Sequence, residues 1–279
     1  MKDYLKQIVE KITDNNLAGC IAREYLQARI LETLQNNAAF QAWVFVGGTA
    51  LRFLYLTPRF SEDLEFSLAK AGTEDGFYEY MKKAKNGFLA EGYSLTIKVK
   101  EAKTVKSAFV KFEGLLYELG LSPHPSQTLS IKVEVDTNPP QGAGIETSIV
   151  RRHCLLNLRH YDKSSLLAGK LHALLSRKYV KGRDVYDLMW YLSDRTWPGP
   201  NITLLNNALK QTKGDGIVLT PDNWRKEVAI NISKYDWDRV LTDVRPFIEK
   251  QEDLRVLTKE NLIKMLLGDT GFEPVTSRV

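Results

Sequence analysis

The chain has 279 residues, of which 43% are hydrophobic and 26% are charged, and its formal net charge is +5. This composition is typical of a globular protein with a core of useful size, and it excludes a membrane-embedded or intrinsically disordered chain. The modest positive charge permits a polyanionic partner without requiring one. Because the two cysteines form no CxxC motif and the N-terminus has no apolar segment, the sequence predicts a cytoplasmic protein with no signal peptide.

Helices and strands are both predicted in the N-terminal half of the chain. Apolar residues at helical spacing predict four helices, over residues 3–14, 18–37, 49–56 and 73–90. Alternating polar and apolar residues predict five strands, over residues 43–46, 63–68, 94–100, 107–112 and 129–136.

After the last of these strands, the Pro- and Gly-rich segment 137–144 breaks the chain, and from about residue 162 onward the pattern is helical. We therefore expect an α+β fold, with a mixed sheet and flanking helices followed by a mainly helical C-terminal half. The expected domains are 1–145 and 146–268, and residues 269–279 are predicted to form a disordered tail.

The first candidate site is a glycine turn between a strand and a helix. Gly47 and Gly48 end the strand over 43–46 and open the next helix. Glycine adopts positive φ and lacks the Cβ that would keep a phosphate away, and a helix N-terminus attracts anions. Thr49 adds a hydroxyl donor and Arg52 lies one turn further on. The pattern predicts a triphosphate-binding turn; a tight strand–helix turn without a ligand is the alternative.

Paired acids follow on the next predicted strand. Asp63 and Glu65 are two residues apart, so their side chains lie on one face and repel each other. Magnesium relieves such repulsion, whereas a half-exposed strand with outward charges is the alternative interpretation. A third acid for a two-metal site is expected from strand 129–136, where Glu134 and Asp136 share a face with Lys132, which could instead pair with one of them.

A basic segment forms the second candidate site. Five basic residues and no acidic residue lie between Lys170 and Arg183, which predicts a phosphate-binding surface if the segment is exposed. Lys170 and Arg177 lie on a predicted helix, and Asp184 starts the next one. The alternatives are a solvated helix face for the two cations and an N-terminal helix cap for Asp184.

Two motif blocks carry a family resemblance. The sequences FVGGTALR (45–52) and RFSEDLEF (59–66) resemble the GGTAL and RxSxDLDF motifs of the AbiEii/AbiGii-type nucleotidyltransferase toxin family. That family belongs to the DNA polymerase β-like nucleotidyltransferase superfamily. KLHALLSR and KGRDVYDL, within 170–188, are similar to its second conserved region. The resemblance covers about residues 20–195, and Glu65 stands where the family mostly has aspartate.

The resemblance implies a nucleotidyltransferase-like fold and a function. It implies a toxin that uses Mg²⁺ to transfer a nucleoside monophosphate from an NTP to an RNA, such as the 3′ end of tRNA, and that has a cognate antitoxin. It also implies catalytic roles for Asp63 and Asp184, and for Lys170 a contact with the nucleotide phosphates. The alternatives are an inert RNA-binding module, suggested by Glu65, and a phosphotransferase that uses the γ-phosphate.

Overall fold

A computed structural model describes residues 2–101, 103–214 and 216–268. The chain folds into two compact units. The first contains residues 1–139 and 145–161, and the second contains residues 140–144 and the chain from Asp162 onward. The expected domain boundary at 145/146 differs from this division, because residues 145–161 form two strands that extend the sheet of the first unit. The expected disordered tail, 269–279, lies outside the described residues.

The first unit contains a seven-stranded sheet in the order β3-β4-β5-β2-β1-β7-β6. Its strands are β1 Trp43–Val46, β2 Leu64–Leu68, β3 Leu95–Lys100, β4 Val105–Phe112, β5 Leu129–Asp136, β6 Ile145–Arg152 and β7 Cys154–Tyr161. The β1–β7 and β2–β5 pairs are parallel and the other pairs are antiparallel. The predicted mixed sheet is therefore confirmed.

Helices accompany this sheet, and aromatic residues fill its core. The helices are α1 Lys2–Val9, α2 Asn15–Asn36, α3 Gly47–Tyr55, α4 Phe77–Ala90 and the short α5 Leu115–Glu118. On one face of the central strands, the Phe66 ring contacts the rings of Trp43 and Phe45. Because side chains alternate along a strand, the polar residues of β2 and β5 lie on the opposite face, where most of them are only half-buried.

The described part of the second unit is helical, as expected. Its helices are α6 Lys163–Ser176, α7 Gly182–Ser193, α8 Ile202–Lys213, α9 Trp224–Ser233, α10 Trp237–Val244 and α11 Lys259–Leu267. Asp162 caps α6, since its carboxylate accepts a hydrogen bond from the Ser165 backbone N–H at 2.7 Å. In the described ranges of both units, no helix has the length and apolar character needed to cross a bilayer.

Close packing fixes the start of α7. A methyl group on Gly182 would overlap the Val240 carbonyl oxygen and lie 2.9 Å from the Val240 carbonyl carbon. Backbone atoms cannot move aside as a flexible side chain can, so we expect Gly182→Ala to lower the free energy of unfolding by about 1–3 kcal/mol. Urea denaturation measures this loss.

Gly169→Ala is the matched control, because Gly169 lies inside α6 with no atom within 4 Å of the added methyl group. It should raise stability by up to about 1 kcal/mol, since alanine favours a helix over glycine. Equal stability of Gly182→Ala and the unchanged protein would contradict the tight contact with Val240.

Candidate active site on the polar face of the first unit's sheet

The glycine turn begins α3 directly after β1. Gly47 has a φ of +82°, in the left-handed region that favours glycine. A Cβ on Gly47 would overlap a carboxylate oxygen of Glu65 and lie 2.7 Å from its carboxyl carbon. Two features therefore favour glycine at position 47: the backbone conformation and the close approach of Glu65. The turn and the predicted acid are in direct contact.

Gly48 lies close to two side chains that were not predicted from the sequence as site residues. A Cβ on Gly48 would lie 2.5 Å from the Arg59 Nη2 and 3.1 Å from the Ser61 Oγ. Arg59 is 2% exposed, and its guanidinium donates a hydrogen bond to the Phe60 carbonyl oxygen at 2.8 Å. Arg59 and Ser61 belong to the motif that contains Asp63. Their fixed spacing before Asp63 could have identified them as residues of the candidate site.

A row of carboxylates lies beside this turn. Asp63 immediately precedes β2 and Glu65 lies within it, and both are half-buried. The parallel register places Glu65 next to Glu134 of β5, and Ser67 next to Asp136. Asp63, Glu65 and Glu134 thus form the acid row, and Asp136 lies one pair of residues further along the strands.

The acid row carries more negative charge than its neighbours neutralise. Burial, together with the nearby Glu65, Glu62 and Glu134 carboxylates, raises the pKa of Asp63 to about 6. Lys132 opposes this effect, and its Nζ lies 2.6 Å from Glu134. In the part of the chain that the structure describes, neither Asp63 nor Glu65 forms an ion pair with a basic side chain.

Asp136 has a separate environment. Burial raises the pKa of its carboxyl group, while a hydrogen bond from the Asn138 backbone N–H at 2.9 Å acts in the opposite direction. Within the described ranges, no group of three or more His, Cys, Asp and Glu side chains is assembled closely enough to hold a metal ion. Magnesium in nucleotide enzymes commonly takes one or two carboxylates together with substrate phosphates. Asp63 and Glu65 supply that number of ligands.

Two residues predicted to bind the nucleotide have other roles. The Thr49 hydroxyl is buried and donates a hydrogen bond to the Asp63 carbonyl oxygen, so it positions the backbone of the acid. The Arg52 guanidinium is 3% exposed, and its Nε lies 2.5 Å from the Glu24 carboxylate. The first turns of α3 face the core, where both side chains have these partners. That Thr49 and Arg52 contact a triphosphate stays a prediction.

Glu24 is the centre of a buried ion-pair network. Its carboxylate also accepts hydrogen bonds from Arg152 at 3.0 Å and lies 3.1 Å from the His153 Nε2. Burial alone would raise the pKa of Glu24, but the bonds from His153, Arg52 and Arg152 outweigh burial and lower the pKa to about 2. The network joins α2, α3 and the β6–β7 hairpin.

The second candidate site forms a separate cluster within the second unit. The Lys170 Nζ lies 3.0 Å from the Asp184 carboxylate and 2.7 Å from that of Asp187. Arg177 donates a hydrogen bond to the other oxygen of Asp184. The three predicted residues are thus brought together with Asp187. Asp184 lies in the first turn of α7 and the helix cap is Lys181, so the interpretation of Asp184 as an N-cap is wrong.

Most of the chain matches a known protein family. Residues 29–259 match the family described as "Nucleotidyl transferase AbiEii toxin, Type IV TA system". The fold is similar to that of MenT4, a nucleotidyltransferase toxin of Mycobacterium tuberculosis H37Rv, with a TM-score of 0.58 and 17% identity over 98% of this chain and 91% of that chain.

Two structures from Helicobacter pylori are less similar. JHP933 has a TM-score of 0.47 and 18% identity over 89% of this chain and 87% of its own. A candidate nucleotidyltransferase has a TM-score of 0.49 and 18% identity over 94% of this chain and 100% of its own. No curated protein matches the chain.

Proposed function

Because the chain belongs to the AbiEii family of nucleotidyltransferase toxins of type IV toxin–antitoxin systems, we propose that it transfers a nucleoside monophosphate from an NTP to an RNA in a magnesium-dependent reaction. We propose the 3′ end of tRNA as the acceptor and the cytoplasm as the place of action. The observation that carries this proposal is the acid row beside the glycine turn, where burial and the neighbouring carboxylates raise the pKa of Asp63 to about 6.

The acid row has the donor chemistry that Mg²⁺ prefers. Asp63 and Glu65 would hold the metal, because both are oxygen donors without an ion-pair partner among the described residues. Glu134 lies next to Glu65 and acts on Asp63, and we propose that it becomes the third ligand by exchanging its ion pair with Lys132 for the metal. Asp136 lies further along the strands from Asp63 and is the weaker candidate for the third metal ligand. When bound, Mg²⁺ withdraws charge from the phosphate oxygens of the substrate.

The proposed reaction exchanges one phosphorus–oxygen bond for another. The acceptor hydroxyl forms a bond to the α-phosphorus, the bond to the β-phosphate bridging oxygen breaks, and pyrophosphate leaves. Gly47 and Gly48 would bind phosphate oxygens through their backbone N–H groups at the start of α3. A carboxylate of the acid row would take the proton of the hydroxyl group.

Lys170, Arg177 and Asp184 enter the proposal through the family resemblance. We propose that Lys170 and Arg177 contact substrate phosphates and that Asp184 orients both cations. The ion pairs of Asp184 with Lys170 and Arg177 support this orienting role, because a carboxylate held by two cations fixes their direction. We expect Asp184→Asn to impair transfer without abolishing NTP binding.

Labelled nucleotides test the proposed reaction. The protein is incubated with Mg²⁺, total tRNA and NTPs that carry a label at the α- or the γ-phosphate. We expect label in the RNA from the α-position only. Label from the γ-position only would show a phosphotransferase, and RNA binding without transfer would show an inert module. Either result would overturn the proposal.

A further inference from the structure

A short basic segment joins the two helices of the second candidate site. Residues 177–181, which we name the α6–α7 loop, have no regular secondary structure. The Tyr179 side chain lies in the middle of the loop and is 68% exposed. Lys178 precedes it and Lys181 follows it, and the loop contains no acidic residue. An exposed aromatic ring is thus flanked by cations.

The positive charges of this region are only partly neutralised. Arg177 pairs with Asp184. Arg183 lies 4.0 Å from the Asp243 carboxylate and stacks over the ring of Phe247. Lys178 and Lys181 form no ion pair with any residue of the described ranges. The loop therefore presents two uncompensated charges on either side of the Tyr179 ring.

Both ends of the loop are held in place. The Arg177 backbone N–H donates to the Ala173 carbonyl oxygen at 3.2 Å, which continues α6 into the loop. At the other end, Gly182 packs on the Val240 backbone. A loop with fixed ends loses little further freedom when a ligand binds, so its contacts add to affinity with a small entropic cost.

We propose that the α6–α7 loop binds an unpaired stretch of the RNA acceptor. One base stacks on the Tyr179 ring, and the adjoining phosphates contact Lys178 and Lys181. Aromatic stacking combined with lysine contacts to the backbone is how proteins bind single-stranded nucleic acids without reading sequence. The choice of RNA as the ligand rests on the proposed function.

RNA binding without NTP tests the proposal. Fluorescence anisotropy of a 5′-fluorescein-labelled single-stranded RNA oligonucleotide, titrated with the full chain, gives the dissociation constant. We expect Tyr179→Ala to weaken binding roughly tenfold, because one stacked base is lost. Tyr179→Phe keeps the ring and should bind as the unchanged protein does. Tyr117→Ala, which removes a 54% exposed tyrosine of the first unit, is the matched control.

Salt dependence tests the two lysines. Each lysine that contacts a phosphate of a single strand contributes about 0.7 to the slope of the logarithm of affinity against the logarithm of salt concentration. Lys178→Gln and Lys181→Gln should each lower that slope by about this amount, whereas Tyr179→Ala should leave it unchanged.

The outcomes separate this proposal from the proposed function. Equal RNA affinity of Tyr179→Ala and the unchanged protein, or no binding of single-stranded RNA at all, would overturn the role of the loop, even if label transfer to tRNA were observed. RNA binding that depends on Tyr179, with no transfer of label, would support the loop and overturn the proposed reaction. If Tyr117→Ala weakened RNA binding as much as Tyr179→Ala, this result would also contradict the role of the loop.

Discussion

Asp63→Asn is expected to reduce nucleotidyl transfer about a hundredfold or more. The substitution keeps the size of the side chain but removes the charge of an acid-row residue whose pKa is raised by burial and by the neighbouring acids. The measurement is the rate of α-label incorporation into tRNA at saturating NTP and Mg²⁺. Since the Asp63 carboxyl group is held by no ion pair in the described residues and burial and neighbouring acids disfavour its charge, the variant should unfold at the same temperature as the unchanged protein or at a higher one.

Glu62→Gln is the matched control for Asp63→Asn. It removes a carboxylate one residue away that also acts electrostatically on Cys20 of α2. We expect transfer by this variant to fall far less than by Asp63→Asn. Equal losses in both variants would show that the total charge of the segment matters, and a transfer rate retained by Asp63→Asn would contradict the assignment of Asp63 as a metal ligand.

Glu24→Gln is expected to lower the free energy of unfolding by about 3–5 kcal/mol. The substitution leaves the buried Arg52, which is 3% exposed, without the carboxylate that compensates its charge. Urea denaturation followed by circular dichroism measures the loss. Glu32→Gln on the same helix removes a partly exposed partner of Arg29 and should cost less than about 1 kcal/mol.

The contribution of Glu24 should depend on pH in a defined direction. The pKa of its carboxyl group is lowered from 4.5 to about 2 in the folded protein. A carboxyl group with a lowered pKa stabilises the fold fully above the unfolded pKa and loses this contribution as the pH falls through the folded pKa. The stability difference between the unchanged protein and Glu24→Gln should therefore narrow between pH 4.5 and pH 2. A difference that stays constant over this range would contradict the network.

Periodicity predicted the strands that are buried on one face. β5 has the predicted bounds, because it alternates buried and half-buried residues along its whole length. β1 also has the predicted bounds, although three of its four residues are buried in succession. β6 was missed because it lies at the edge of the sheet and has no buried residue, so no apolar pattern marks it. β7 was missed although its buried Leu156 and Leu158 alternate with exposed residues. Because both strands extend the sheet, the first unit reaches beyond the expected boundary at 145/146.

Only those parts of the candidate site that depend on the spacing of residues along the sequence could be predicted. Two residues of separation place Asp63 and Glu65 together, but the position of Glu134 depends on the β2–β5 pairing, which joins segments far apart in the chain. Arg52 could not be distinguished from a phosphate ligand, because its partner Glu24 comes from another helix. Local sequence patterns predict which side chains share a face of a helix or strand. Which charged side chains contact each other depends on the pairing of segments that are far apart in the sequence.

The contact between Gly47 and Glu65 has a consequence for how related sequences can diverge. The carboxylate at position 65 takes the volume that any larger residue at position 47 would need. A side chain at position 47 would force the Glu65 carboxylate to move, whereas the aspartate common in the family has one methylene fewer. Shortening residue 65 would free this volume, but the φ of +82° would still strain a side chain at position 47. Glycine should therefore persist at position 47 in relatives that carry either acid at position 65.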